Sequence, residues 1–297
     1  MKKNRFTILN ITKVMVQVLA FIFLPALFVS TFAGIKGLYL SVINNEYNVS
    51  VLIPQLIEAF AIVPLTLLFG RFFCGWMCAF GTLGDLIYSL SKKIFKTNLK
   101  VGKKLDGILK YAKFLVLVFL MVFVWGMGYK VFKSSNPWDV FGMLATIGKK
   151  PDISYVLSDL APGLVILLLI IGMSFIIERF FCRYLCPLGA VFAIISKLRI
   201  TKIGKPAKAC GKCRICTDNC PMGISMYEKD IIGSGECINC FKCTLVCPRG
   251  NVSLKVVNAD VKPLVAGTMA VALMTGIYYA GDSINSTDTT VQKSTLS

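Results

Sequence analysis

The chain has 297 residues, 56% of them hydrophobic, with a mean hydropathy of +0.70, a net charge of +18, twelve cysteines and no histidine. Soluble domains are typically about 45–50% apolar, so the composition excludes an ordinary soluble domain and predicts a membrane protein with one basic side. Nucleic-acid binding, the other common use of so much positive charge, is set aside because that charge is concentrated beside apolar segments.

A bilayer span needs about 20 consecutive apolar residues, and five segments approach that length: about 14–35, 51–70, 111–129, 161–178 and 263–280. Lys2, Lys3, Arg5 and Lys13 lie before or at the start of the first, which predicts a cytoplasmic N-terminus because basic flanks stay inside. The run is long for the apolar core of a signal peptide, although STFAG (30–34) loosely resembles a cleavage site. Residues 36–50 set Lys36 against Glu46 and are expected outside. The second span contains Glu58, and an ionisable group within a span is costly and reads by default as functional. RFFCGWMCAFG (71–81) follows, with Cys74 and Cys78 four apart and hence on one face of a helical turn. Residues 91–113 then carry eight lysines against one aspartate and are expected inside.

The same unit repeats. A span over 111–129, a nearly neutral loop expected outside and a span over 161–178 lead to RFFCRYLCPLG (179–189), whose Cys182 and Cys186 stand 108 positions after Cys74 and Cys78. Residues 1–100 and 101–204 therefore read as two membrane repeats of the same orientation. A pseudo-twofold axis along the membrane normal is expected, and it would bring the cysteine pairs face to face. Three uses stay open for the four thiols: a third metal centre, a redox dithiol relay, or packing as small apolar side chains. Arg71 and Arg179 open the two motifs. They either offset the charge of a thiolate-bound centre or snorkel as anchors at a helix end, and the anchor is the preferred reading.

Residues 205–256 hold CGKCRICTDNCP (210–221) and CINCFKCTLVCP (237–248), two complete C-x2-C-x2-C-x3-C-P runs of the bacterial ferredoxin type. In that pattern three thiolates of one run and the fourth of the other hold each 4Fe-4S cluster. One set is then Cys210, Cys213, Cys216 and Cys247, and the other Cys237, Cys240, Cys243 and Cys220. Zinc sites of four thiolates usually come as two pairs, and a disulfide framework is disfavoured in a cytoplasmic segment. A final membrane segment (257–281) precedes a Ser/Thr-rich tail (282–297) expected to be outside and disordered.

Paired membrane C-x3-C motifs followed by two ferredoxin runs make residues 14–255 resemble the NapH/NosR-type membrane polyferredoxins, which accompany periplasmic reductases. The resemblance implies a quinol-linked carrier that passes electrons through 4Fe-4S clusters to a redox partner. Its motif falls on Cys74, Cys78, Cys182, Cys186 and the eight ferredoxin cysteines. The chain departs from that family in reading CAFG where a proline usually follows the second cysteine, and in its fifth span. Its loops expected outside are short and contain no flavin-binding domain of the kind NosR-like members carry, so the NapH-like branch fits better. Without histidine a bis-histidine haem is excluded, and quinol protons would fall to carboxylates, Glu58 first, with Asp85 and Glu178 flanking the motifs. The plainer reading of Glu178 is a salt bridge to Arg71 or Arg179.

The expected fold class is an all-α polytopic membrane protein, two parallel two-span repeats and five spans in total, with an inserted α+β module holding two 4Fe-4S clusters. It is expected in the bacterial cytoplasmic (inner) membrane, with N-terminus and ferredoxin module inside and C-terminus outside. Its expected partners are lipid, the quinone pool and a redox protein or reductase, which it serves as an electron-transfer subunit or quinol-dehydrogenase component. The rival is a membrane-anchored iron-sulfur sensor or a maturation factor for a reductase. A sensor is expected to carry a signalling domain, and the sequence displays none.

Overall fold

The structure, a computed structural model, describes residues 2–23, 27–44, 63–95, 101–126, 136–145, 153–206, 210, 213–257 and 259–294. They are mostly helical, with one four-stranded antiparallel sheet. Among them one helix, Lys103–Gly126, is long and apolar enough to cross a membrane; it is α-helical to Phe119 and continues as a π-helix from Leu120. Shorter apolar helices cover Ile8–Phe23, Thr31–Ile43, Ala161–Ile176, Pro187–Leu198 and Pro263–Ile277.

The predicted spans map onto these helices unevenly. Residues 14–35 contribute to two helices, Lys2–Phe23 and Leu27–Asn44, and the first begins well ahead of its apolar run because lysine and arginine are themselves good helix formers. Of the second span only 63–70 is described, helical over 63–69, so Glu58 lies outside the described residues. The last helix runs Pro263–Ser294, which makes most of the tail expected to be disordered helical. No proline follows Pro263 in the sequence to stop it.

The sheet comprises β1 (Thr201–Gly204), β2 (Ile231–Ile232), β3 (Ser253–Val256) and β4 (Ala259–Val261), in the order β2-β1-β3-β4. It extends beyond the expected 205–256 at both ends, because strands of two to four residues are too short to leave a periodicity in the sequence. Register sets Ile203 opposite Ile232 on one side and Leu254 on the other, and all three are buried. Arg199 pins this sheet to the helices before it. It is buried and donates to the carbonyls of Thr201 (2.8 Å), Ser234 (2.7 Å) and Ile232 (2.8 Å) and to the Ser196 hydroxyl (2.9 Å).

The two cysteine runs fold alike, 27 residues apart. Arg214 (φ 52°) and Phe241 (φ 56°) are both left-handed and open the short helices Ile215–Asp218 and Lys242–Val246. Gly223 (φ 61°) and Gly250 (φ 68°) turn the chain after the fourth cysteine, each N–H donating to the carbonyl of Cys220 or Cys247. Glycine takes that conformation without a Cβ penalty.

Candidate iron-sulfur sites

Both membrane motifs are built by one local move. The N–H of Cys78 donates to the Phe73 carbonyl at 3.0 Å, and the N–H of Cys186 to the equivalent Phe181 carbonyl at 2.9 Å. This five-residue closure is a π-type turn, wider than an α-turn, so the two cysteines of a pair do not ride one regular helical face as their spacing predicts. The reason lies downstream. Cys186 ends one element and caps the next helix, Pro187–Ile195, and Cys78 stands directly before the helix Ala79–Phe95. The Cys186 sulfur accepts the Gly189 N–H at 3.2 Å, and the Cys78 sulfur accepts that of the equivalent Gly81. Cys74, Cys78, Cys182 and Cys186 are all buried and lie within electrostatic reach of one another. Phe72, Phe73, Trp76, Phe80 and Phe181 are buried with them, so these aromatics belong to the core.

Arg71 and Arg179 are 1% and 2% exposed, which overturns the anchor reading: a snorkelling side chain must end in water, and neither does. Each crosses to the opposite repeat instead. Arg179 donates to the carbonyl of Cys74, and Arg71 to that of the equivalent Cys182, at 3.5 Å. Glycines leave them room. A Cβ on Gly81 would stand 3.1 Å from the Arg179 guanidinium, and one on Gly189 2.8 Å from that of Arg71.

Their counter-charges break the symmetry. Both Asp85 oxygens accept from Arg179 at 2.6 Å, whereas position 193, the equivalent of 85, is alanine. Arg71 meets Glu236 of the ferredoxin unit at 3.1 Å, a carboxylate it shares with Lys113. Glu178, expected to pair with Arg71 or Arg179, pairs with Lys242 at 2.9 Å because both guanidinium groups turn inward.

Asp85 is therefore a charge partner. Burial works to raise its carboxyl, but Arg179, Lys13 and Gln17 together hold it well below its ordinary 3.8. A depressed folded value means stability that is fully present above the unfolded pKa and lost as the pH falls through the folded one. Asp85→Asn is accordingly expected to lower the melting temperature at pH 7, with the gap to the native protein closing as the pH is taken below 4. Thermal scans of both proteins in detergent across pH 7 to 2 check this, and a gap independent of pH contradicts it.

The ferredoxin cysteines divide into two situations. Cys220, Cys237, Cys240 and Cys243 line one cavity with Ile203 and Met222. Its cysteine set is three residues of the second run and the fourth of the first. Of the other set, Cys216 is buried with Cys210 within electrostatic reach, Cys213 is exposed, and Cys247 lines a different cleft beside Leu245 and Pro263.

The membrane motif and the second run touch directly. A Cβ on Gly75 would stand 2.4 Å from the Ile238 carbonyl oxygen and 3.6 Å from the Cys240 Cα. Trp76, fully buried, donates from Nε1 to the Asn239 carbonyl at 3.1 Å, and Asn239 donates back to the Phe69 carbonyl at 2.6 Å. Arg179 lies within electrostatic reach of both Cys182 and Cys240. Sequence reading missed Gly75, Trp76, Asn239, Arg199 and Glu236. The one local signal was a glycine directly after the first cysteine of the membrane motif.

The donor chemistry fits iron-sulfur clusters. Burial pushes the Cys182 thiol up to about 11 and that of Cys220 up to about 12, and Cys78, Cys186 and Cys243 also shift upward. These groups are thus neutral at pH 7 until metal binding displaces their protons. Thiolates formed there need buried positive charge, and Arg71 and Arg179 supply it. Among the described residues the Nε of Arg71 is a buried donor without a partner, and Cys74, Cys186 and Cys182 are its electrostatic neighbours. No three Cys, Asp or Glu side chains among the described residues converge tightly enough for a single metal ion. A cubane asks for something looser, since its four thiolates each bind a different iron.

Fold and thiol sets together define an iron-sulfur protein built on buried helical cysteine pairs. The family described as a 4Fe-4S binding domain matches residues 54–98 and 160–206, the two segments that carry the membrane cysteine pairs. The chain is 32% identical to an uncharacterized protein of Methanocaldococcus jannaschii over 77% of this chain and 83% of that one. It is 28% identical to YccM of Escherichia coli K12, provisionally named an electron transport protein, over 84% of this chain and 69% of the relative. With the ferredoxin-type protein NapH of Haemophilus influenzae it shares 28% identity over 60% of this chain and 59% of the relative. The chain belongs to the NapH/NosR-type 4Fe-4S electron-transport family. No solved structure matches it.

Proposed function

We propose that the chain is a multi-pass electron carrier of the cytoplasmic membrane, exchanging electrons between the quinone pool and a redox protein. Three thiolate sets hold its centres: Cys74, Cys78, Cys182 and Cys186 at the membrane boundary, Cys220, Cys237, Cys240 and Cys243 beside them, and Cys210, Cys213, Cys216 and Cys247 further out. Iron-sulfur clusters bound at these thiolates supply one-electron oxidation and reduction. The observation that carries this reading is the close packing of the four buried membrane thiols against the loop of Cys237 and Cys240, through Gly75 and Trp76. Dithiol relay and plain packing fit less well, because neither calls for two buried guanidinium groups among the sulfurs.

The five-span arrangement, with the ferredoxin unit and N-terminus inside, is part of the proposal. It is supported by helices whose outward faces are leucine and valine: Val165, Leu168 and Leu169 are 57%, 58% and 65% exposed on a helix that carries no charge. Asp85 and Glu178 are engaged by Arg179 and Lys242, which leaves Glu58, in the second span, as the carboxylate proposed for quinol protons.

Iron and sulfide per chain, measured on anoxically purified protein, test the reading. The native chain is expected to hold clearly more than the roughly eight irons of two four-iron clusters. Changing Cys74, Cys78, Cys182 and Cys186 together to serine is expected to return it to that level. A native content of about eight that the variant keeps removes the membrane centre from the proposal.

A further inference from the structure

Two buried arginines exchanged between repeats are an odd expense for a membrane boundary, where either could reach water. Three observations bear on what they do. Each guanidinium lies within reach of cysteine sulfurs of the four-thiol set, Arg71 beside Cys74, Cys186 and Cys182, and Arg179 beside Cys182. Each crosses to the carbonyl of the other repeat's first cysteine. Lastly, the buried Nε–H of Arg71 has no acceptor among the described residues. A purely structural arginine in a core would have its donors met, because an unsatisfied buried donor is costly.

We infer that Arg71 and Arg179 are the charge-balancing pair of the centre held by Cys74, Cys78, Cys182 and Cys186, each lying beside sulfurs of that set while bonded to the backbone of the other repeat's first cysteine, and so raising the potential of that centre. The inference rests on the proposal that those thiolates hold a redox centre. Net charge and hydrogen bonds to sulfur are among the factors that set iron-sulfur potentials, and both act in one direction here: positive charge and N–H donors favour the reduced, more negative form. Arg71 contributes a free donor and a charge offset in part by Glu236, a carboxylate it shares with Lys113. The charge of Arg179 is partly spent on Asp85, which makes that carboxylate a brake on the same effect.

A sign follows that no structural role shares. Arg71→Met removes positive charge and is expected to lower the potential of the membrane centre; Arg71→Lys restores charge without the Nε donor and is expected to recover part of the shift. Asp85→Asn frees Arg179 from its carboxylate and is expected to raise the potential. Damage to packing would instead move Arg71→Met and Asp85→Asn the same way.

The experiment is a potentiometric EPR titration of each full-length variant, with iron counted on the same samples. Opposite shifts support the inference. Shifts of the same sign, or none, with iron retained overturn it. Where Arg71→Met loses the membrane iron, Arg71→Lys decides: recovery of iron supports charge balancing, and continued loss shows that the shape of arginine is what the site needs, which overturns it. A native protein with only two clusters' worth of iron fails the proposed function itself, a result distinct from three-centre iron with unmoved potentials.

Discussion

Arg199→Met is expected to lower the unfolding temperature of the purified protein by roughly 5 °C, the effect of a loss on the order of 3 kcal/mol in a chain of this size. Four oxygens accept from this one side chain: the carbonyls of Thr201, Ile232 and Ser234 and the hydroxyl of Ser196. They come from β1, β2, the loop before the second cysteine run and the helical turn before the sheet, so a single planar fork ties the β1–β2 ladder to a loop and a turn that lie outside the sheet. Methionine fills much of the volume and satisfies none of them, leaving buried acceptors unpaired. Arg199→Lys is expected to recover little, since an ammonium is a point donor and cannot match a fork that bonds in three directions. Thermal scans of the three proteins check the order native, lysine, methionine. A methionine variant as stable as the native protein would mean that water meets these oxygens and that Arg199 pins nothing.

What could be read from the sequence was what is local. Three cysteines at intervals of three, followed by a fourth and a proline, are a ligand set written within a dozen residues, and the crossing of Cys220 to the second run follows from the same pattern. The 108-residue repeat was equally plain because RFFC is spelled out twice. Its consequence was not. Arg71 and Arg179 begin their motifs at a helix end, the usual address of a snorkelling anchor, and only the approach of the other repeat turns them inward.

Spacing misled in one place for a physical reason. Four residues fit an α-turn and also fit the π-type turns that Phe73 and Phe181 close, and nothing in the residue types tells the two apart. Asp85 and Glu178 were read as carboxylates near the motifs, which they are; their partners Arg179 and Lys242 lie 94 and 64 residues away in sequence, beyond any local signal. Arg199, in a stretch rich in basic residues, looked like one more cytoplasmic charge. The absence of a carboxylate among its four hydrogen-bond partners became visible only when the sheet closed around it.

Gly75→Leu is the change expected to separate the two halves of the site. The Cβ position of residue 75 lies 2.4 Å from the Ile238 carbonyl oxygen, closer than any carbon can approach, and the obstacle is backbone, so no rotamer relieves it. Either the loop of Cys237 and Cys240 moves away from the membrane motif or the short helix Phe72–Trp76 shifts, and in both cases the Trp76 Nε1 bond to Asn239 is broken. Overpacking of this kind typically costs about 1–3 kcal/mol.

The control is close at hand: a Cβ on Gly84 would meet its nearest neighbour, the Arg179 Cα, at an ordinary 3.7 Å. Gly84→Ala lies within the helix Ala79–Phe95 and is expected to be neutral or to stabilise by up to about 1 kcal/mol, since alanine is the better helix former. Beyond stability, the membrane thiols and the Cys237 loop adjoin through Gly75, so magnetic interaction between the reduced centres proposed there is expected to weaken in Gly75→Leu. EPR line shapes of the fully reduced variant report this directly. Unchanged coupling in a variant that has lost stability would mean that the two centres communicate by another contact, and the shared neighbour of Cys182 and Cys240, Arg179, would be the next residue to change.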